Sequence, residues 1–315
     1  MKKFEQESEF DKFYYYEILP ILRQYEKIRK GYFNKFLIAE FFILFIVTII
    51  VAIILFIWSF WEINTWTFAI FIFCLAFGVT SLYGSYKDYI MKIKYGIKEK
   101  CSQQLKKCFK NINWGHTNIT LDLIRQSKLF NTFSNIIYDD LFLGNYKDVK
   151  FSVNETFLIS SNLIGFNSNI FRGIIIAFNS NKKIKAHTIV ANKCDISFSI
   201  FYNNELFNKV KLEDLNFDKR FSVYSEDQIE ARYLITPAFM ERLNNLRTAF
   251  GTKKIKCAFF DDEIVFAIST NKDLFEMGSF HRTLVNKKKV KEFYDEITAI
   301  YAMIDHFKLN ERTGL

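Results

Sequence analysis

Two long apolar runs near the start of the chain are the strongest pattern in the sequence. The first, Phe41–Phe60, has twenty residues and no charged side chain. At about 1.5 Å per helical residue it would extend roughly 30 Å, the thickness of the hydrocarbon core of a bilayer. The second, Trp66–Tyr83, has eighteen uncharged residues, and only residues 61–65 separate the two runs. The pattern therefore predicts a transmembrane hairpin within residues 36–84.

Aromatic and basic residues around the runs predict how the hairpin is oriented. Trp58, Trp61 and Trp66 lie where one run ends and the other begins, and indole rings prefer the membrane interface. The basic membrane-interface candidates follow the second run: Lys87, Lys92 and Lys94. Positively charged flanks stay on the cytoplasmic side of a membrane. Both termini are therefore expected in the cytoplasm of a bacterium, with the hairpin in its inner membrane.

Amphipathic segments flank the predicted hairpin on both sides. Apolar residues recur every three or four positions through residues 1–35 and again through residues 85–115, which is typical of helices with one apolar face. The first segment is predicted as a cytoplasmic amphipathic helix and the second as a basic juxtamembrane helix. The two apolar faces should pack against each other as an antiparallel pair. In the alternative, they lie on the membrane surface.

Residues 116–315 have the pattern of a cytoplasmic α+β domain with a mainly antiparallel sheet. The residues Phe178–Lys182 resemble a turn between paired strands, and the best-marked helix begins with Thr236 as N-cap and Pro237 in its first turn. Short helices, including one at 119–130, and apolar runs alternate without a repeat. The predicted strands are Val149–Val153, Phe157–Ile159, Gly173–Phe178, Ala186–Val190, Ile196–Tyr202, Val210–Leu212, Ile255–Phe260 and Ile264–Ile268, and a last helix is predicted over 286–309.

The distribution of charged and aromatic residues along the chain agrees with this predicted membrane protein. A net charge of +9 with 18% aromatic residues could indicate a nucleic-acid binder. However, residues 85–110 contain eight basic and two acidic side chains, an excess of +6 beside the predicted membrane, where lysines are attracted to anionic headgroups. The rest of the soluble part is nearly balanced, so no nucleic-acid partner is expected. The five cysteines form no CxxC pair and are expected to stay reduced in the cytoplasm, mostly as small core residues.

Several segments of the second half resemble a bacterial membrane-protein family, the domain of unknown function 3137. They are Arg172–Phe178, Phe217–Tyr224, Asp227–Met240 and Asp273–Glu276, and the sequence ARYLITPAFM within the third is the most specific. The resemblance covers roughly residues 10–300. It implies an N-terminal membrane hairpin with a cytoplasmic domain, and it carries over no catalytic or binding residue.

Motifs of known chemistry are absent from the sequence. There is no GxSxG, HExxH, GxGxxG or GxxxxGK[ST] motif. The four histidines have no metal-ligand spacing, so neither a metal nor a cofactor is expected. The pairs Asp139–Asp140 and Asp261–Asp262 could bind a cation, but adjacent acids are more often turn formers.

One polar cluster is a speculative ligand site. Asp227, Glu230 and Arg232 precede the Thr236 helix, and Arg172 opens a strand. A guanidinium and the amides of residues 237–239 suit a phosphate or a carboxylate. In the structural alternative, the cluster is an internal ion pair that holds the helix in place.

The sequence predicts a non-enzymatic membrane protein that presents its cytoplasmic domain to a protein partner or to lipid headgroups. The alternative is a membrane-tethered hydrolase or transferase with its site near Arg172, Asp227, Glu230 and Arg232. A homo-oligomer is compatible with both. A transporter is disfavoured because the two runs contain no buried polar pathway.

Overall fold

The fold is taken from a computed structural model of the chain. It describes residues 10–58, scattered positions between 72 and 109, and most of the remainder: 111–114, 119–130, 133–161, 167–180, 183–193, 195, 207–250, 252, 254–276 and 282–309. The chain divides into two compact units. The first unit contains residues 1–104 and 276–291, and the second contains residues 105–275 and 292–315.

A long helix dominates the first unit. It includes a π-helical segment, Phe13–Ile18, and continues as α1, Leu19–Trp58. With 40 residues, α1 extends about 60 Å. Its apolar run is exposed, with Phe41 at 71% and Phe56 at 67%. By length and composition this helix can cross a membrane, which suggests a membrane anchor and confirms a long apolar helix near the N-terminus.

The start of the same helix is buried, unlike its apolar run. Phe10, Phe13, Tyr14, Ile18 and Leu22 are all less than 10% exposed. They belong to the apolar stripe that marked residues 1–35 as amphipathic, or lie beside it. A buried stripe next to an exposed apolar run indicates that protein covers one part of the helix and that a different environment surrounds the other.

A buried ion pair fixes the N-terminal part of α1 within the first unit. The Arg29 guanidinium donates to both carboxylate oxygens of Glu26, at 2.8 and 2.9 Å. One of these oxygens also accepts the backbone N–H of Leu284 at 2.9 Å. Nearer the surface, Lys287 pairs with Asp11 at 2.8 Å. These contacts join two segments that are more than 250 residues apart in the sequence.

The described part of the second unit is built on one antiparallel sheet. Nine strands have the spatial order β1-β2-β3-β4-β9-β8-β5-β7-β6. The strands are β1 (Ile112–Trp114), β2 (Asn135–Tyr146), β3 (Val149–Ser161), β4 (Asn167–Asn179), β5 (Thr188–Asn192), β6 (Asn208–Val210), β7 (Phe221–Ser225), β8 (Ile255–Phe260) and β9 (Glu263–Ser269). The helices are α2 (Leu121–Gln126), α3 (Leu215–Asp218), α4 (Gln228–Leu234), α5 (Pro237–Ala249) and α6 (Lys287–His306), of which residues 287–291 belong to the first unit. An α+β domain with an antiparallel sheet is therefore confirmed.

Helices and aromatic side chains cover both faces of this sheet. On one face, Phe239 of α5 packs on Phe259, and Phe307 just after α6 packs on Phe266. On the other face, Phe130 just after α2 packs on Phe171. Side chains alternate along a strand, so each strand contributes to both layers. The central strands therefore read as continuous apolar runs.

The helix α5 begins and is capped as the sequence predicts. The Thr236 hydroxyl accepts the backbone N–H of Phe239 at 3.2 Å, and Pro237 occupies the first turn. Leu243 and Leu246 are buried on the same face as Phe239. The hairpin of β8 and β9 is also confirmed.

Three features of the sheet differ from the sequence-based expectation. The strands predicted at 149–153 and 157–159 are a single strand. The polar residues Asn154, Glu155 and Thr156 suggested a break between them, but in the structure all three are buried inside that strand. The turn at 178–182 does not join paired strands: β4 pairs with β3 and β9, and β5 pairs with β7 and β8. In addition, β1, β2 and β7 were not expected as strands.

Some predictions fall on residues outside the described part of the chain. They are the strand at 196–202, most of the second apolar run, and the interface candidates Trp61, Trp66, Lys92 and Lys94. Trp58 ends α1, and Lys87 is described and exposed.

Candidate functional site

A cleft of about 680 Å³ opens at one end of the sheet in the second unit. It lies where β4 begins, β9 ends and β8 begins, since these ends meet in antiparallel pairing. Its size falls within the range of ligand pockets, roughly 300–1,000 Å³. The lining residues are Asn169, Ile170, Phe171, Arg172, Asp195, Phe250, Thr252, Lys254, Lys256, Ser269, Thr270, Asn271 and Lys272.

Backbone hydrogen bonds hold the walls of the cleft in place. The N–H of Thr270 donates to the carbonyl of Arg172 at 3.1 Å, and the N–H of Ser269 donates to that of Lys254 at 3.0 Å. The Thr252 hydroxyl donates to the Ser269 carbonyl at 2.7 Å. These bonds extend the sheet pairing past the strand ends. The side chains at the rim therefore project from a fixed backbone.

The charged side chains of the cleft are predominantly basic. Four cations, Arg172, Lys254, Lys256 and Lys272, line it together with one carboxylate, Asp195, which leaves a formal excess of +3. The ammonium of Lys256 pairs with Asp195 at 2.5 Å. Burial lowers the pKa of Lys256, and the neighbouring Asp195 carboxylate opposes that shift.

No carboxylate of the described residues neutralises the other three cations. Within the described residues, Arg172, Lys254 and Lys272 form no ion pair with a carboxylate. Arg172 stacks on the ring of Phe157, with its guanidinium carbon 4.9 Å from the ring centroid. Its buried Nε–H has no hydrogen-bond acceptor among the residues that the structure describes. A buried donor without an acceptor costs about 1–3 kcal/mol.

The structure separates Arg172 from the rest of the cluster proposed from the sequence. Arg172 lies in β4, whereas Asp227, Glu230 and Arg232 lie on and just before α4, which follows β7. Four inter-strand spacings separate β4 from β7, roughly 19 Å at about 4.8 Å each. None of the three residues near α4 lines the cleft.

The side chains near α4 make local contacts. The Asp227 carboxylate accepts the N–H groups of Ile229 and Glu230 and so caps α4. Glu230 accepts the N–H of Lys185, and Arg232 donates to Gln228. No ion pair joins these three residues, so Asp227 stabilises α4 as a cap and the expected internal ion pair is not formed.

The amides at the start of α5 offer few donors to an anion. Pro237 has no N–H, and the N–H of Phe239 already donates to Thr236. The anion site expected at residues 237–239 is therefore left with one amide, that of Ala238.

Three carboxylates come together elsewhere on the sheet. Oxygens of Asp139, Glu155 and Asp273 lie within 4.8 Å of one another, a spacing that could hold a hard cation such as Mg²⁺ or Ca²⁺. The sequence favoured a turn at Asp139–Asp140, but these residues lie inside β2. The register with β3 shifts between Tyr138 and Leu141, which makes a bulge there. The fold, not the sequence spacing, brings Glu155 and Asp273 to this bulge.

Neither described histidine forms a metal-ligand set. The Nε2 of His187 bonds to the carbonyl of Ser127 at 3.2 Å, and its ring stacks on Phe260. Burial lowers the pKa of His187, with the nearby Lys128 acting in the same direction. His187 also lines a smaller pocket of about 280 Å³ with Lys128 and Glu226. His306 bonds to the carbonyl of Arg242.

The described cysteines behave as core residues. Cys101 and Cys257 are fully buried and free. Burial raises the pKa of Cys101 to about 12 and that of Cys257 still further. Both are therefore thiols at neutral pH, which is unsuitable for a nucleophile.

Comparison with known proteins supports a family resemblance over part of the chain. No curated protein matches the chain. A crystal structure of the mycobacterial trehalose monomycolate transport factor A, TtfA, is similar over 62% of this chain and 88% of its own, with 8% identity and a TM-score of 0.34. A likeness of that degree establishes neither a shared fold nor a shared function. The family model described as protein of unknown function, DUF3137, matches residues 169–309, and all four segments that carried the resemblance lie within that range. The resemblance to DUF3137 is thus confirmed over this part of the chain.

Proposed function

We propose that this protein is held in a membrane by its N-terminal helices and binds an anionic ligand in the cleft beside Arg172. The ligand belongs to the phosphate or carboxylate class, and the role is one of binding and presentation without catalysis. The observation that carries the proposal is the excess of +3 in a cleft of about 680 Å³, with three cations that no carboxylate of the described chain neutralises.

The chemistry of the cleft suits an oxyanion. A guanidinium presents its donors in a planar fork that matches carboxylate and phosphate oxygens, and lysines add charge without fixed direction. Arg172 is the best placed because it lines the cleft and Phe157 holds its guanidinium plane. Lys254 and Lys272 are exposed at the rim and would attract the anion before it docks.

Membrane attachment supplies the second part of the proposal. Within the exposed apolar run of α1, the Thr48 hydroxyl donates to the Phe45 carbonyl at 2.7 Å, so this polar group would keep a hydrogen bond inside a bilayer. In the second run, Thr80 donates to the Phe77 carbonyl in the same way. The exposed apolar run of α1, the uncharged run Trp66–Tyr83 and the lysines that follow it support a hairpin in the inner membrane with both termini in the cytoplasm. The lysines that follow it, among them Lys87, would then lie near anionic headgroups.

The orientation has its own test. In a variant without native cysteines, Asn64→Cys should react with a membrane-impermeant maleimide added to intact cells. Labelling only after the cells are opened would refute the proposed orientation.

Ligand binding is tested with the full chain in nanodiscs of neutral phosphatidylcholine. Glycerol phosphate is titrated by calorimetry, with inorganic phosphate and acetate as simpler anions. Arg172→Gln should weaken the binding of glycerol phosphate about tenfold or more, because a charge-assisted hydrogen bond contributes about 1.5–3 kcal/mol. Arg232→Gln is the matched control and should leave the affinity unchanged. Equal affinities for Arg172→Gln and the unmodified protein would refute the assignment of the cleft.

Detection of a reaction product would distinguish the enzymatic alternative from binding without catalysis. A hydrolase or transferase at Arg172 would convert a bound phosphate ester, and phosphorus NMR of the incubated complex would show a new resonance. We expect none. A turnover that Arg172→Gln abolishes would replace the binding proposal by the enzymatic one. A protein partner in place of a small anion would be found by crosslinking in native membranes.

A further inference from the structure

An apolar row extends from the cleft across the neighbouring strands. In the sheet register, Arg172 of β4 lies opposite Phe157 of β3, which lies opposite Ile137 of β2. Residues that are directly opposite in antiparallel strands place their side chains on the same face, about 5 Å apart. The row therefore runs roughly 10 Å from the guanidinium of the cleft to Ile137.

The outer end of this row is open to solvent. Ile137 is 53% exposed, although it belongs to a strand whose other apolar residues are mostly covered. Ile170, in the wall of the cleft, is 39% exposed. The register between β3 and β4 shifts at this point, since Leu158 pairs with Phe171 and Ile159 with Asn169. Ile170 is the extra residue of that bulge and has no cross-strand partner.

Basic and apolar surfaces thus adjoin at one site. A soluble anion would need only the cations of the cleft. It would gain nothing from an aromatic ring and an exposed isoleucine arranged in line with Arg172. A ligand with a negative head and an apolar chain would use both surfaces, because each apolar group removed from water adds to the affinity.

We infer that the ligand of the cleft is an anionic amphiphile, whose phosphate or carboxylate head meets Arg172 and whose hydrocarbon chain lies along Phe157 and Ile137. This inference rests on the proposed function and names its ligand class. A membrane lipid is the source that the proposed anchor would bring within reach, and a free fatty acid or soluble phosphate would be the competitors.

The decisive comparison uses two ligands with the same head. Short-chain dihexanoyl phosphatidate and glycerol phosphate are titrated into the full chain in neutral phosphatidylcholine nanodiscs, with empty nanodiscs subtracted. Each methylene that leaves water strengthens binding about fourfold. Contact of two or three methylenes with the row should therefore make phosphatidate at least tenfold tighter.

Two variants test whether the tighter binding of phosphatidate depends on the apolar row of Phe157 and Ile137. Ile137→Asn should remove most of the tenfold advantage and leave the affinity for glycerol phosphate unchanged. Ile229→Asn is the matched control, because Ile229 is 80% exposed on α4 and lies outside the cleft. It should change neither affinity. Thermal unfolding of each variant establishes that the fold is retained.

The outcomes separate the two proposals. Equal affinities for phosphatidate and glycerol phosphate, or an advantage that survives Ile137→Asn, would overturn the amphiphile inference and leave anion binding intact. No binding of either ligand, or binding that does not depend on Arg172, would overturn the proposed function together with the inference.

Discussion

The buried pair of Glu26 and Arg29 should contribute strongly to the stability of the first unit. Both residues are only 8% exposed, and Glu26 accepts three hydrogen bonds, two from Arg29 and one from the N–H of Leu284. Glu26→Gln keeps the shape and a carbonyl acceptor for Leu284 but removes the charge that Arg29 pairs with. Breaking a buried pair in this way costs about 3–5 kcal/mol.

The same pair predicts a pH dependence with a definite sign. The Arg29 hydrogen bonds, helped by the N–H of Leu284, lower the pKa of Glu26 below its usual value of 4.5, while burial opposes the shift. The folded protein therefore binds this proton more weakly than the unfolded chain. The stabilisation is complete above pH 4.5 and is lost as the pH falls through the folded pKa. Glu26→Gln should remove this part of the acid dependence.

The assay is chemical denaturation of the full chain in detergent, followed by the fluorescence of a probe in the first unit, between pH 3 and pH 7. Asp11→Asn is the control, because the Asp11–Lys287 pair is about half exposed and screened by solvent, so its loss should change the stability far less than Glu26→Gln. The double variant Glu26→Leu with Arg29→Met should regain much of the lost stability, since neither buried charge remains. A cost below about 1 kcal/mol for Glu26→Gln at pH 7 would refute the reasoning.

Three further predictions concern the second unit. Gly173→Ala should disrupt the pairing of β4 with β9, because an added Cβ would lie 2.1 Å from the Ile268 carbonyl oxygen. Gly31→Ala is the control: its Cβ would meet nothing within 4 Å, so it should be tolerated. Thermal unfolding compares the two variants. Asp227→Ala should cost about 1 kcal/mol through the lost cap of α4 without changing glycerol phosphate binding, and a large loss of affinity would return Asp227 to the ligand site. Because the pKa of His187 is lowered in the folded state, its contribution to the free energy of unfolding is complete above pH 6.5 and is lost as the pH falls towards the folded pKa. His187→Gln should flatten this pH dependence of stability, measured by unfolding at several pH values. An unchanged profile would contradict the prediction.

Local patterns predicted the elements whose signals lie within a few residues. The Thr236–Pro237 start of α5 and the hairpin of β8 and β9 follow from capping and turn chemistry. The strand β2 was missed because Asp139–Asp140 looks like a turn. In the fold the two acids occupy a bulge inside the strand, where the extra residue lets the chain remain paired on both sides.

Of the charged residues that line the cleft, only Arg172 was a candidate from the sequence. Arg172 was singled out for its chemistry, and it does line the cleft. Asp227, Glu230 and Arg232 were grouped with it as polar residues just before a capped helix, yet they lie four strands away. Lys254 and Lys272 carried no signal of their own, since isolated lysines in a lysine-rich chain resemble ordinary surface residues.

The sequence by itself determined the long apolar helix, the antiparallel α+β class and the resemblance to DUF3137, because run length, periodicity and short motifs are local properties of the chain. Only the tertiary structure decided which residues meet. The order β4-β9-β8-β5-β7 and the register of β2, β3 and β4 come from pairings between distant segments. Those pairings place four cations around one cleft and align Ile137 and Phe157 with Arg172, because a strand's partner and register depend on the packing of the whole sheet.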